Sequence, residues 1–176
     1  MRSDVKILVL VSAAALMTAC SKTPEAPASA DSAPVAAATP AAPSAPSAAE
    51  SEAAEHAAKA LAALPAPYNT ADLANGQRTF ALCRSCHTIT AGGPNMTGPN
   101  LYGLFGRKAG TVEKFNYSDV VKASGIVWDG PQLDKWLTNP RADMPGTRMT
   151  FVGLKDPKAR TDLIAYLMVK TAKADD

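Results

Sequence analysis

Histidine, cysteine and aromatic residues are scarce in this chain, and each scarcity narrows what it can be. Its 176 residues include 2 His, 3 Cys, 4 Phe, 4 Tyr and 2 Trp. Three cysteines give no simple disulfide framework. Beyond His56 the only histidine is His87, so a structural zinc site, which needs four ligands, is a poor fit. The one extended apolar run, Ile7 to Met17, falls short of the roughly 20 residues a membrane-spanning helix needs. No segment shows the strict alternation of a half-buried strand. The 47% hydrophobic fraction overstates the core, because much of it is alanine in one stretch. A domain this poor in aromatics gains from enclosing a large apolar body.

What is present begins with an export signal. Arg2 and Lys6 precede the apolar run, and Thr18, Ala19 and Cys20 follow it. Met17-Thr18-Ala19-Cys20 resembles the bacterial lipobox, in which the cysteine is lipidated and becomes the new N-terminus; Met17 stands where that motif prefers leucine. Residues 1–19 are expected to be a signal peptide and Cys20 a lipidation site. An uncleaved signal anchor is the alternative. Residues 20–67 are expected to form a tether. Positions 21 to 67 hold 20 Ala and 8 Pro, too little large apolar surface for a core. As a flexible coil this stretch would span about 40 Å. Prolines are absent from Ser47 to Leu64, where a transient helix is expected, with His56 as a solvated residue on it.

Residues 68–176 are expected to fold as a small all-α domain with long loops. Asp72 can cap a helix that places Leu73, Gln77 and Phe80 on one face, where Gly76 would let another helix cross closely. Residues 88–116 are glycine-rich and without helical period. Short helices are expected at Ser118–Ser124 and Asp129–Thr138, the second stopped by Pro140. A last helix starts from Asp156 and Pro157 and carries Leu163, Ile164, Tyr166 and Leu167 as an apolar stripe.

Cys83-Arg84-Ser85-Cys86-His87 is the attachment signature of c-type haem. Two thiols three residues apart can form thioethers with two vinyl groups of one porphyrin, and the next residue brings an imidazole to the iron. A redox dithiol is the competing reading, but it would need a βαβ context that the sequence lacks. The second axial ligand must come from elsewhere. Met96, Met144, Met149 and Met168 are all candidates by residue type. Met168 falls on the apolar stripe of the last helix. Met144 and Met149 bracket the turn-rich Pro145-Gly146-Thr147-Arg148, and spacing alone does not choose between them.

Residues 72 to 170 closely resemble the class I, mitochondrial-type cytochromes c. The resemblance runs through Cys83–His87, Thr97-Gly98-Pro99-Asn100-Leu101-Tyr102-Gly103-Leu104-Phe105-Gly106-Arg107-Lys108 and Phe115-Asn116-Tyr117-Ser118. It continues at Trp128, Asn139-Pro140, Pro145–Met149 and Leu163-Ile164-Ala165-Tyr166-Leu167. It implies the cytochrome c fold around one haem c, held covalently by Cys83 and Cys86, with His87 and Met149 as axial ligands. It further implies that the Pro99 carbonyl holds His87, that Tyr117 and Trp128 donate to a haem propionate with Arg107 nearby, and that Thr147 belongs to the haem pocket. Phe80 and Tyr166 are expected to join two helices. Trp136 stands where many members have tyrosine, and Val121 where mitochondrial members often have asparagine.

The resemblance implies a one-electron carrier and not an enzyme. It places the chain in a respiratory chain, between a quinol-oxidising cytochrome bc complex and a haem–copper terminal oxidase. From residue 68 onward there are 14 Lys and Arg against 10 Asp and Glu, a mild positive bias. Leu82, Ala142 and Asp156 occupy positions often lysine in the family, leaving Arg141, Arg148 and Lys155. Nucleic acid is not an expected partner. The expected state is a monomer, lipid-anchored on the periplasmic side of a bacterial membrane.

Overall fold

The computed structural model describes residues 47–173. The expected signal peptide, Cys20 and the first part of the tether lie outside the described residues. The described chain forms six α-helices: α1 (Ala48–Ala62), α2 (Leu73–Phe80), α3 (Asp119–Ala123), α4 (Gly130–Thr138), α5 (Pro140–Asp143) and α6 (Pro157–Thr171). A 3₁₀ turn, Tyr68–Thr70, links α1 to α2. Among the described residues there is no strand, only an isolated bridge between Lys108 and Val127. The all-α expectation holds.

The centre of the fold is the crossing of α2 and α6. Gly76 makes it possible: a Cβ there would meet the Asp162 carbonyl oxygen and, at 2.6 Å, the Tyr166 Cβ. The Phe80 and Tyr166 rings lie 5.8 Å apart, centroid to centroid, across the same contact. Leu163, Ile164, Ala165 and Leu167 of α6 are buried beneath it. Gln77, expected on the inner face of α2, is exposed; the inward stripe runs through Gly76 and Phe80, with Leu73 half-buried.

One buried carboxylate ties the crossing together. Asp162 is 1% exposed and accepts from the Asp72 backbone N–H at 2.9 Å, Asn75 Nδ2 at 2.7 Å and Lys158 Nζ at 2.7 Å. Burial opposes its ionisation, but these three donors outweigh it and hold the carboxyl below its ordinary value. Asp72 in turn caps α2, accepting from the Asn75 N–H.

Helix ends follow local chemistry. Pro140 does not simply stop α4. Asn139, pushed to extended backbone before the proline, ends α4 and at once caps α5, in which Pro140 is the first residue. Asp156 caps α6 ahead of Pro157, as expected. Helix α1 opens on a capping box between Ser47 and Glu50. Every residue from Ser47 to His56 is exposed. Only the end of α1 packs on the fold, through Leu61, and Leu64 beyond it. The helix expected in the tether is therefore present, and its last turn is docked on the domain.

Candidate cofactor site

The turn that follows α2 winds back on itself. The Cys83 N–H donates to the Phe80 carbonyl at 2.8 Å, and the Cys86 and His87 N–H groups both donate to the Cys83 carbonyl at 3.0 Å. This single turn brings Cys83, Cys86 and His87 to the wall of one cavity of about 830 Å³. Both thiols are free and half-buried. Burial, with Cys86 alongside, pushes the Cys83 thiol up to about 11, so it is held protonated.

His87 is fixed from behind. Its Nδ1 lies 2.7 Å from the Pro99 carbonyl oxygen, which accepts the ring proton and leaves Nε2 free. Burial lowers the pKa of the imidazole, and the Pro99 hydrogen bond works the other way. The Pro99 carbonyl reaches the ring because residue 98 is glycine; a Cβ on Gly98 would collide with the imidazole. Asn100 organises the loop around this contact. It donates through Nδ2 to the carbonyls of Thr90 (2.9 Å) and Gly93 (2.7 Å), and its Oδ1 accepts from the Tyr102 N–H at 2.6 Å.

The glycine-rich segment gains its scaffold by pairing with residues 126–128. Gly106 N–H donates to the Trp128 carbonyl (2.8 Å), Trp128 N–H to the Arg107 carbonyl (3.0 Å) and Ala109 N–H to the Ile126 carbonyl (2.7 Å). Arg107 and Trp128 thereby line the same cavity as Tyr117, Thr147 and Met149. All nine residues expected to hold a cofactor, Cys83, Cys86, His87, Pro99, Arg107, Tyr117, Trp128, Thr147 and Met149, are brought to its wall. The methionines separate. Met149 lines the cavity, whereas Met144 is buried in the core away from it and Met168 is half-buried against that core. Met96 also lines the cavity, but on the loop that carries Pro99, and it is largely exposed.

The wall suits a large, flat, mostly apolar group with an anionic end. Phe80, Leu104, Val121, Leu133, Leu137, Leu163 and Leu167 supply apolar surface. Three cations, Arg107, Lys114 and Arg148, are on the wall, and no Asp or Glu is. The Arg107 guanidinium donates to the carbonyls of Tyr102 (2.8 Å) and Asn100 (3.1 Å), and among the described residues no carboxylate pairs with it. Burial raises the Tyr117 pKa and Arg107 opposes the rise, so the phenol keeps its proton for donation. The Ser118 hydroxyl is buried, lines the cavity and has no hydrogen-bond partner. A buried hydroxyl of this kind is costly unless something polar completes it. Ser118 was not among the expected site residues. Its place just before α3 reads as a helix cap, yet its side chain makes no cap bond. Trp136 and Val121 are both buried on the wall, and Trp136 packs edge-on against Trp128 at 5.6 Å.

Among the described residues no group of His, Cys, Asp and Glu could hold a bare metal ion, and no helix is long and apolar enough to cross a membrane. The donor set, the cavity size and the unpaired charge fit a haem.

Comparison with known proteins agrees. Residues 73–170 match the cytochrome c family model. The cytochrome c2 of Blastochloris viridis is 47% identical over 106 residues, covering 60% of this chain and 84% of that protein. The cytochrome c2 of Rhodoplanes tepidamans is 48% identical over 96 residues, covering 54% and 90%. The cytochrome c of Kluyveromyces lactis is 40% identical over 106 residues, covering 60% and 96%.

Proposed function

The chain belongs to the cytochrome c family, and from that membership we propose that it carries electrons one at a time from a quinol-oxidising cytochrome bc complex to a haem–copper oxidase, with His87 and Met149 as the iron ligands. Its helical architecture is the cytochrome c fold, and members of the family are haem-based electron carriers and not enzymes. The cofactor is haem c, held through cysteines. The observation that carries the ligand assignment is that one cavity wall holds Cys83, Cys86, the Pro99-braced His87 and Met149, while Met144 turns into the core.

When bound, haem c supplies a one-electron couple at iron. The protein's part is to hold it still and dry. Cys83 and Cys86 would anchor the ring covalently, each thiol adding across a vinyl group. Pro99 fixes the imidazole tautomer and plane, so the ligating nitrogen does not turn between oxidation states. A thioether from Met149, with His87 as the other ligand, would raise the reduction potential. Arg107, Tyr117, Trp128 and Ser118 offer charge and hydrogen bonds to the propionates, which would otherwise be expensive to bury. The leucines of α4 and α6 exclude water.

Location is part of the proposal. The N-terminal signal supports export, and the cysteine ending the lipobox-like motif supports a lipid on Cys20. The carrier would then work as a monomer on the periplasmic side of a bacterial membrane, near its partners because it is tethered there. Absorption spectroscopy of the ferric holoprotein tests the ligand assignment. A ferric spectrum with the weak long-wavelength band of a methionine–iron bond is expected. A high-spin ferric spectrum lacking that band overturns the assignment.

A further inference from the structure

Met149 sits on the stretch between α5 and α6. From Pro145 to Val152 this stretch makes, among the described residues, one hydrogen bond to a part of the fold distant in sequence: Arg148 Nη2 to Asn116 Oδ1, 3.2 Å and exposed. Its remaining bonds are local, Thr147 N–H to the carbonyl of the adjoining Met144 and Met149 N–H to Thr147 Oγ1. Met149 and Phe151 pack against the hydrophobic core; the polar ties of the stretch lie at its two feet, and both feet rest on consecutive residues of α4.

The first foot is Asp143, the last residue of α5. Its side chain is 3% exposed, and Lys135 Nζ lies 2.6 Å from Oδ1. That contact is bent away from hydrogen-bond geometry, leaving an ion pair, and Gln132 Nε2 donates to the other oxygen at 3.1 Å. The second foot is Leu154-Lys155. Arg160 of α6, 9% exposed, donates through Nη1 to the carbonyls of Leu154 (2.9 Å) and Lys155 (3.0 Å). The same guanidinium is held by Asp134, Nε to Oδ1 at 2.7 Å. Leu154 N–H also donates to the Leu137 carbonyl at 2.7 Å. Asp134 and Lys135 thus bear opposite charges and grip opposite ends of the segment that bears Met149.

We propose that Asp134 and Lys135 are positioning residues: with Arg160 and Asp143 they clamp both feet of the Met149 stretch and set how readily Met149 gives up its place in the cavity. This rests on the assignment of Met149 as an iron ligand. Geometry explains why a clamp is needed. A segment with so few bonds of its own opens locally at little cost unless its ends are fixed. At the first foot a buried carboxylate that loses its cation is strongly disfavoured; at the second, lifting the chain would strip the buried Arg160 guanidinium of two carbonyl acceptors.

Imidazole binding to the ferric full-length holoprotein tests the clamp, with loss of the methionine–iron band as the readout. Lys135→Met, which leaves the buried Asp143 carboxylate without its cation, is expected to lower the denaturation midpoint and to tighten imidazole binding by about three- to tenfold. Arg160→Lys, which keeps the charge but loses the fork, is expected to do at least as much. Asp162→Asn, which weakens the α2–α6 crossing without touching either foot, is the control and is expected to leave imidazole affinity unchanged while lowering the denaturation midpoint. Wild-type imidazole affinity in both clamp variants overturns the proposal. So does an equal rise in the Asp162→Asn protein at matched loss of stability. Absence of the methionine–iron band in the wild type, read before any variant is made, overturns the Met149 assignment itself and is distinct from both.

Discussion

Met144 and Met149 stand five residues apart, and the fold sends them in opposite senses: Met144 is buried in the hydrophobic core and Met149 lines the cofactor cavity. The difference predicts two separable phenotypes. Met149→Ala is expected to keep the haem attached and lower the reduction potential, with a smaller loss of core packing than at the buried Met144. Met144→Ala is expected to cost about 2–5 kcal/mol of stability and to leave the potential near wild type. Potentiometry and chemical denaturation on the two holoproteins check this, and a lowered potential in the Met144 variant would exchange their roles.

The contact between His87 and Pro99 depends on a missing side chain. Gly98→Ala would place a methyl group against the imidazole. Overpacking of this kind costs about 1–3 kcal/mol, and because the strain falls on the imidazole proposed as an iron ligand, the reduction potential should move as well. Unfolding and potentiometry together check it; a stability loss with no spectroscopic or redox change would show that the loop yields instead of the ring.

Gly76 carries the same kind of burden at the helix crossing. Gly76→Ala would drive a Cβ into the Asp162 backbone and Tyr166. A loss of at least about 1–3 kcal/mol is expected, larger than the gain an alanine would give in an unconstrained helix. Urea denaturation of the variant reads it directly, and a stabilised protein would mean the crossing is looser than described.

Asp162 makes stability depend on acid. Its carboxyl is held below the ordinary value, so the unfolded chain takes up a proton at higher pH than the native one. The stabilisation is complete above the unfolded pKa of about 3.9 and is lost as pH falls through the lower native value. Asp162→Asn should therefore be less stable than wild type at neutral pH, by about 1–3 kcal/mol. The two stability curves should converge in acid. Denaturation midpoints measured from neutral pH downward test the sign; a gap that stays constant would exclude the linkage.

Membrane attachment is testable at one atom. Cys20→Ser is expected to move the exported protein from the membrane fraction to the soluble fraction, with haem content unchanged. Retention in the membrane would argue for an uncleaved signal anchor.

Most of the site was legible because its chemistry demands particular residues in a fixed order. The Cys83–His87 run names its own cofactor, and Gly76, Asp72, Asp156 and Pro157 announce a close crossing and two helix starts. The parts that were not legible depend on residues distant in sequence. Nothing local says that Met144 turns inward, because that is decided by what α4 and α6 bury. Ser118 was expected only as the first residue of a short helix, and its hydroxyl is an unpartnered group on the cavity wall. Pro140 looked like a stop and is also a start, since the Asn139 side chain accepts from the Ala142 N–H and opens a second helix. The pairing of Asp134 and Lys135 with the two ends of the Met149 stretch joins positions up to 26 residues apart, and no periodicity encodes it.

Helix α1 has a mechanical consequence. Its foot is seated on the domain through Leu61 and Leu64, while the ten residues from Ser47 to His56 stand clear of it. At the helical rise of about 1.5 Å per residue the nine of them within α1 form a lever arm of about 14 Å. A pull on the chain upstream of Ser47 therefore acts off-centre and becomes a turning moment on the domain.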